Sequence, residues 1–454
     1  MALDQYLILG LPFVFLLGFQ TIVDFKKIFW LLMICLPLST EFDISHSLAT
    51  DLPTEPLTAG LSLVILIYLA AHPQRINFQA LKHPIIILLT AHLIWMFFTM
   101  VNSNLFIVSL KFFIAKMWYI LTFVVLTMQI IKDEKDFKTF FWCVFSSLLF
   151  TAVVILGRLY SINFAFDDVQ SAMQPFYRNH VSYAAILALF YPFIFVALGW
   201  YKRWSFTWWF LIGSLFIMLI AIQYSYTRTA YLALVIALGA WLVIKLKLTK
   251  YVLAGSLVVA IVGINFLINN NKYLDFAPNY DTTISHNDFN SLVEATYKLE
   301  DISTMERVYR WVAAFRMSKE ELIVGYGPGN FYNFYKGYTV KKFKTYVSDN
   351  PERSGVHSYF LMTLVEQGVL GLLIFVALTF GILIYGERIY HQTDNRMRRQ
   401  IVIGLILSII VIDAFLLIND LIETDKVGSF YFMNIAILVN FDLKNRTEKK
   451  LSTE

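Results

Sequence analysis

The apolar residues of this chain come in blocks of about 15–25, divided by short charged connections, and that spacing limits the chain to very few folds. A helix of about 20 residues crosses roughly 30 Å of hydrocarbon, where a helix or a closed barrel is needed to pair every backbone N–H and C=O. Hydrophobic residues make up 58% of the 454-residue chain and its mean hydropathy is +0.62, against about 45–50% apolar residues in soluble domains. The expected fold class is therefore all-α: a polytopic membrane protein with a bundle of about 12–13 transmembrane helices. Candidate spans fall near 6–22, 28–40, 57–71, 84–101, 112–131, 139–157, 181–200, 206–224, 228–245, 251–268, 358–385, 401–418 and 428–440. The second and last are short for a crossing, and the fifth carries Lys111 and Lys116, so re-entrant or interfacial segments would lower the count.

Lysine and arginine in short connections bias them toward the cytoplasm. The basic connections are Lys26-Lys27, Arg75 to Lys82, Lys132 to Lys138, Lys202-Arg203, Lys245 to Lys250, Arg388 to Arg399 and the tail Lys444 to Lys450. All fall on one side of the span order. The opposite connections, Glu41 to Glu55, Asp167-Asp168 and Asn419 to Asp425, are acidic or neutral. The loop from 269 to 357 then faces out as an insertion in a single transmembrane domain spanning 1–454. No cleavable leader is evident, since the first apolar stretch lacks a basic start and runs straight into further spans.

The long loop has structure of its own. Ser303-Thr304-Met305-Glu306 has the pattern of a capping box, and Val308, Trp311, Val312 and Phe315 follow at helical spacing. A short amphipathic helix is expected, ending near Lys319 before the turn Gly325-Tyr326-Gly327-Pro328-Gly329, with Arg307 and Arg310, three residues apart, sharing a face beside the apolar stripe. Arginines snorkelling from an interfacial helix to water would leave the same spacing.

A charge near hydrocarbon costs several kcal/mol unless it faces a cavity or a partner, so the polar residues at the outer boundary are the candidate site. Arg228 opens one span, Arg178-Asn179-His180 opens another, Arg307 and Arg310 lie on the loop helix, and His357 ends the loop. Arginine offers a permanent charge and a fork of donors matched to phosphate oxygens, and histidine accepts a proton near neutral pH. Together they suit a phosphorylated substrate and a hydroxyl to be deprotonated. The bland reading of His357 is a cap on the helix that begins at Ser358; Gly368 and Gly371 read as close helix packing; Glu366 either pairs a basic group or is buried for structure. The net charge of +5 is accounted for by the basic connections and gives no case for nucleic acid. Cys35 and Cys143 read as buried small hydrophobes.

The motifs Arg307-x-x-x-Trp311, Gly325-Tyr326-Gly327-Pro328-Gly329-Asn330-Phe331 and His357-Ser358-x9-Gly368-x-x-Gly371 resemble the signature of the O-antigen ligase and polymerase superfamily. Arg228-Thr229-Ala230-Tyr231-Leu232 resembles its upstream arginine element, so the resemblance covers a catalytic region of 225–375. It implies a membrane glycosyltransferase that moves a glycan from undecaprenyl diphosphate to a hydroxyl acceptor at the outer face of the bacterial cytoplasmic membrane, without metal, nucleotide sugar or other cofactor. The acceptor is lipid A-core in ligases, another repeat unit in polymerases, and a protein hydroxyl in related oligosaccharyltransferases; the length and single moderate loop lean toward a ligase. On this reading His357 and Arg228 are catalytic, and Arg307, Arg310, Arg178 and His180 bind the diphosphate or the acceptor.

Two rival readings remain. Glu41-Phe42-Asp43 sits in an outward loop where metal-dependent membrane glycosyltransferases often hold an acidic pair, although no further cluster completes a coordination set. A bundle with scattered charges would also suit a lipid-linked glycan transporter. Against that, the polar features gather at one face, with Asp413 the exception at mid-membrane depth.

Overall fold

The computed structural model describes residues 18–45, 48–166, 168–277, 301–345, 348–350 and 354–453. Most of the first expected span, Asp167 and much of the 269–357 loop lie outside the described residues. The helices, in chain order, are α1 (Phe25–Cys35), α2 (Thr54–Ala71), α3 (Pro84–Val101), α4 (Phe106–Ile120), α5 (Glu134–Ser161), α6 (His180–Leu198), α7 (Phe206–Gln223), α8 (Arg228–Lys245), α9 (Thr249–Ile268), α10 (Ile302–Glu320), α11 (Tyr359–Gln392), α12 (Arg396–Leu416) and α13 (Asp425–Thr453). α4 continues through a π-helical turn, Leu121–Leu126, to Ile130. Strands β1 (Thr40–Ser45) and β2 (Leu48–Leu52) form an antiparallel hairpin that sets Glu41 opposite Asp51.

Among the described residues ten helices are long and apolar enough to cross a membrane, below the expected 12–13. They are α2 to α9, α11 and α12, with α4 counted to Ile130. The expected span 28–40 is not continuous helix: α1 has 11 residues and gives way to a turn at Leu36–Leu38 and then to β1. The last expected span, 428–440, lies within α13, which has 29 residues and is buried without a break from Asp425 to Val439. A helix sheathed in protein tolerates Ser429, Asn434 and Asn440, which lower its apolar character. Lys116, the charge that made the fifth span doubtful, is buried and bonds Glu423 at 2.6 Å.

Helix starts follow local chemistry. Asp133 and Asp136 make a capping box at α5, and the side chains of Asn179, Ser205 and Asn395 accept backbone N–H groups at the starts of α6, α7 and α12. Within the bundle α12 packs on α6, α8 and α11, α11 also packs on α3, and α13 sits against α12 and the π-helical turn. Phe137, Phe140, Phe141, Phe145, Phe190 and Phe193 form a fully buried aromatic cluster between α5 and α6.

Several basic connections meet at one end of the bundle. Buried Arg398 bonds Glu134 at 2.6 Å and both Asn445 and Glu448 at 2.7 Å; Lys444 joins Glu134 at 3.0 Å; Asp442 holds His83 and Arg446. The hairpin, the turn before α6, the end of the long loop and the α12–α13 connection come together around one cavity.

Candidate functional site

α10 puts two arginines beside the end of the long loop. Its N-cap is Asp301, one residue before the first helical position and two before the expected Ser303: the Asp301 carboxylate accepts from Thr304 N at 2.9 Å and Thr304 Oγ1 at 2.6 Å. The same oxygen accepts from Arg228 Nη2 at 3.0 Å, which ties the start of α8 to α10. Burial would raise the Asp301 carboxyl, but the Thr304 bonds and the Arg228 charge outweigh it and hold the group below the usual carboxylate range. Glu306 takes no part in a cap. It is buried, accepts from Thr345 and from Ser348 at 2.6 Å, and pairs with Arg310 at 3.5 Å.

Arg310 is therefore not snorkelling. It is 6% exposed and reaches Gly355 O at 3.5 Å, two residues before His357. Arg307 bonds Ser303 Oγ at 2.9 Å. The Nε atoms of both arginines are buried and have no hydrogen-bond partner among the described residues. Burial, then the charges of Arg228 and Arg310, draw the Arg307 guanidinium below its ordinary pKa. Crowded cations with unused donors leave a place for an anion.

His357 has a backbone φ of +56°, uncommon for a residue with a side chain. Its conformation is set from both sides: Trp311 Nε1 donates to His357 O at 3.3 Å, and Tyr359 N donates to Asn419 O at 3.1 Å. The residue that caps α11 is Ser358, whose Oγ accepts from Leu361 N at 3.5 Å. His357 thus does not serve as the cap, and it lines the cavity. Burial first, then Arg310 and Arg307, push its imidazole down to about 3, so at neutral pH the ring is uncharged and can accept a proton.

The cavity encloses about 490 Å³, within the usual range of ligand sites. Besides His357 it is lined by Glu41, Asp51, Glu55, Asp420, Glu423 and Asp425, with Arg178 and Lys426 among them, and Asp420 lies within electrostatic reach of Arg310. Sequence reasoning had not gathered these carboxylates, because they come from two segments far apart in the chain, 41–55 and 420–425; the acidic character of the connections was the only signal. Arg178 belongs to this wall and lies 3.9 Å from Glu41. His180 is placed elsewhere: its Nδ1 faces Gln170 Oε1 at 3.3 Å, its carbonyl accepts from Thr227 Oγ1 at 3.4 Å, and Arg307 is within electrostatic reach. The structure thus gathers Arg228, Arg307, Arg310, His357 and His180, and sets Arg178 in the cavity lining beside Glu41. Among the described residues no three His, Cys, Asp or Glu side chains are grouped to hold a metal ion.

The glycine motif docks on α11. α11 breaks at Gly368 (φ +69°, ψ −175°), and the 325–331 turn plugs the gap. Tyr326 N bonds Val365 O at 3.0 Å, Gly327 N bonds Glu366 O at 2.9 Å, and Val369 N bonds Leu322 O at 2.8 Å. The Glu366 carboxylate accepts from Gly329 N at 2.9 Å and Phe331 N at 3.1 Å, so it binds the turn and not a basic group. The packing expected of Gly368 is wrong in kind: the glycine is needed for its backbone conformation and for close approach to Ile323. Gly371 does pack closely, since a Cβ there would lie 3.2 Å from the Trp95 ring.

No curated protein matches the chain. A family model described as O-antigen ligase matches residues 213–376, a stretch running from α7 through α10 and the glycine turn into α11, so this part of the chain is similar to the O-antigen ligase family.

Proposed function

We propose that the protein transfers a glycan from undecaprenyl diphosphate to a hydroxyl of lipid A-core at the outer face of the cytoplasmic membrane, using the region 225–375 as its catalytic part. The observation that carries this is the meeting of an uncharged His357 with Arg228, Arg307 and Arg310, the last two each with a buried Nε that has no hydrogen-bond partner among the described residues. In the step, the acceptor oxygen forms a bond to the anomeric carbon as the bond from that carbon to the phosphate oxygen breaks. The electron pair leaves with the diphosphate, and the acceptor proton passes to the His357 ring. Arg228, Arg307 and Arg310 meet charge that grows on the leaving phosphate, so they stabilise the transition state more than the bound donor.

The arginines also tie donor binding to base strength. After burial, they are the second cause that holds the His357 ring at about 3; a bound diphosphate offsets their charge and so raises the ring from that value, while the burial remains. The imidazole becomes a competent base once the donor is in place. Positive-inside asymmetry supports the orientation, with the Arg398, Lys444 and Arg446 end in the cytoplasm and the cavity outside.

Deleting the gene and analysing undecaprenyl-linked and acceptor-linked glycans by gel and mass spectrometry tests the reading. Long chains stranded on the lipid carrier beside bare acceptor support a ligase. Single repeat units still reaching the acceptor would make the protein a polymerase, and unchanged pools would return the transporter reading.

A further inference from the structure

The wall of the cavity is acidic and built into the fold. Glu41 and Asp51 face each other across the β1–β2 hairpin, Glu55 opens α2, and Glu423 and Asp425 come from the other side. Most of these groups are fixed from behind: Lys116 holds Glu423 at 2.6 Å, Ser39 and Thr54 donate to Asp425 at 3.2 and 3.0 Å, and Thr50 donates to Glu55 at 2.7 Å. Asp51 has no side-chain partner among the described residues, and burial pushes its carboxyl above the usual range. A separate feature on the opposite helix points to a ligand. Ser182 of α6 is 8% exposed, it lines the same cavity, and its Oγ has no hydrogen-bond partner among the described residues.

We propose that this wall is the acceptor subsite, and that it selects a glycan end carrying hydroxyl or amino groups and no phosphate or carboxylate beside the reacting hydroxyl. The proposal rests on the transfer reading above and adds the chemical class of the acceptor. Carboxylates only accept hydrogen bonds, and sugar hydroxyls can donate to them in adjacent pairs. Arg178, Lys426 and Ser182 supply donors for ring and glycosidic oxygens. The carboxylates are spread round the wall and not gathered as metal ligands would be. The lining holds six acidic side chains against two basic ones; burial draws Asp51, Asp420 and Asp425 toward the neutral acid and Lys116 pairs Glu423, so the charge an anionic group would meet comes chiefly from Glu41 and Glu55, and like charges at this range disfavour binding. His357 lines this cavity and is within electrostatic reach of Arg310 and Arg307, so charge sorts the substrates: the diphosphate to the arginines, the polyol to the carboxylates.

The test uses the whole protein in lipid nanodiscs, with lipid-linked donor and envelope acceptor extracted from the deletion strain. In Asp51→Asn/Glu55→Gln the acceptor KM should rise about tenfold or more, the loss of one or two charge-assisted hydrogen bonds, while the donor KM stays as in wild type; Ser182→Ala should raise the acceptor KM by a smaller factor. As competitors of the acceptor, glucose and glucosamine should outdo glucose 6-phosphate in wild type, and that discrimination should collapse in the double variant. An unchanged acceptor KM in both variants with unaltered melting, or glucose 6-phosphate competing as well as glucose in wild type, overturns the subsite while leaving the transfer reading intact. Absence of any transfer by wild type overturns both.

Discussion

Replacing Gly368 with alanine should unseat the glycine turn. The position has φ +69° and ψ −175°, a region occupied almost only by glycine, so any side chain costs about 1–3 kcal/mol in backbone strain. A Cβ would also overlap the Ile323 carbonyl and lie 2.8 Å from Val324 N. Relief requires the turn to lift away, which removes the backbone bonds between Tyr326 and Val365, Gly327 and Glu366, and Val369 and Leu322, at about 1 kcal/mol each. The sum is a loss of about 4–6 kcal/mol, large for one substitution. Thermal unfolding of the purified variant in detergent, compared with Gly337→Ala, reads it, because a Cβ at Gly337 meets nothing within 4 Å. Gly337→Ala should melt with wild type and Gly368→Ala far below both. If the two variants melted together, the break in α11 and its plug would be refuted.

Lowering the pH should leave kcat/KM without a fall centred near 6.5. Burial and the two arginines hold His357 in the free protein at about 3, so its ring stays neutral across the working range, and kcat/KM reports the free enzyme; an acid limb at 6.5 in kcat/KM would contradict this, whereas any acid limb in kcat should lie above that of kcat/KM because bound diphosphate offsets the arginine charges. The same shift acts on stability. The unfolded chain takes up this proton below about 6.5 and the folded one only near 3, so the contribution is whole above 6.5 and is lost as pH falls toward 3, which melting curves between those values would show. Arg307→Lys, which keeps the charge but loses the fork, should raise the donor KM about tenfold with a smaller effect on the acceptor KM; equal donor KM values would remove Arg307 from the diphosphate site.

The membrane class, most of the spans and the loop helix were legible because each depends on residues close together in the chain. The apolar blocks gave the spans, and Val308, Trp311, Val312 and Phe315 gave α10. What sequence could not show depends on contacts between distant segments. Asp301 takes the cap from Ser303 because its carboxylate also meets Arg228, 73 residues earlier. Gly368 looked like a packing glycine in an apolar helix, and only the docked turn gives it a left-handed backbone. The motifs pointed to Arg228, Arg307, Arg310 and His357, which the fold brings together. The acidic wall had no motif, since its residues are separated by more than 300 positions, from Glu55 to Asp420, and are joined only by the hairpin, α6 and the α12–α13 connection.

The central claim is that His357 takes the acceptor proton. The most direct test is glycan transfer by purified His357→Asn, since asparagine tolerates the positive φ of that position and Ser358 keeps the cap of α11. The account predicts a variant that melts with wild type, binds the lipid-linked donor and transfers no glycan at a measurable rate. Transfer at the wild-type rate by the folded variant would contradict it.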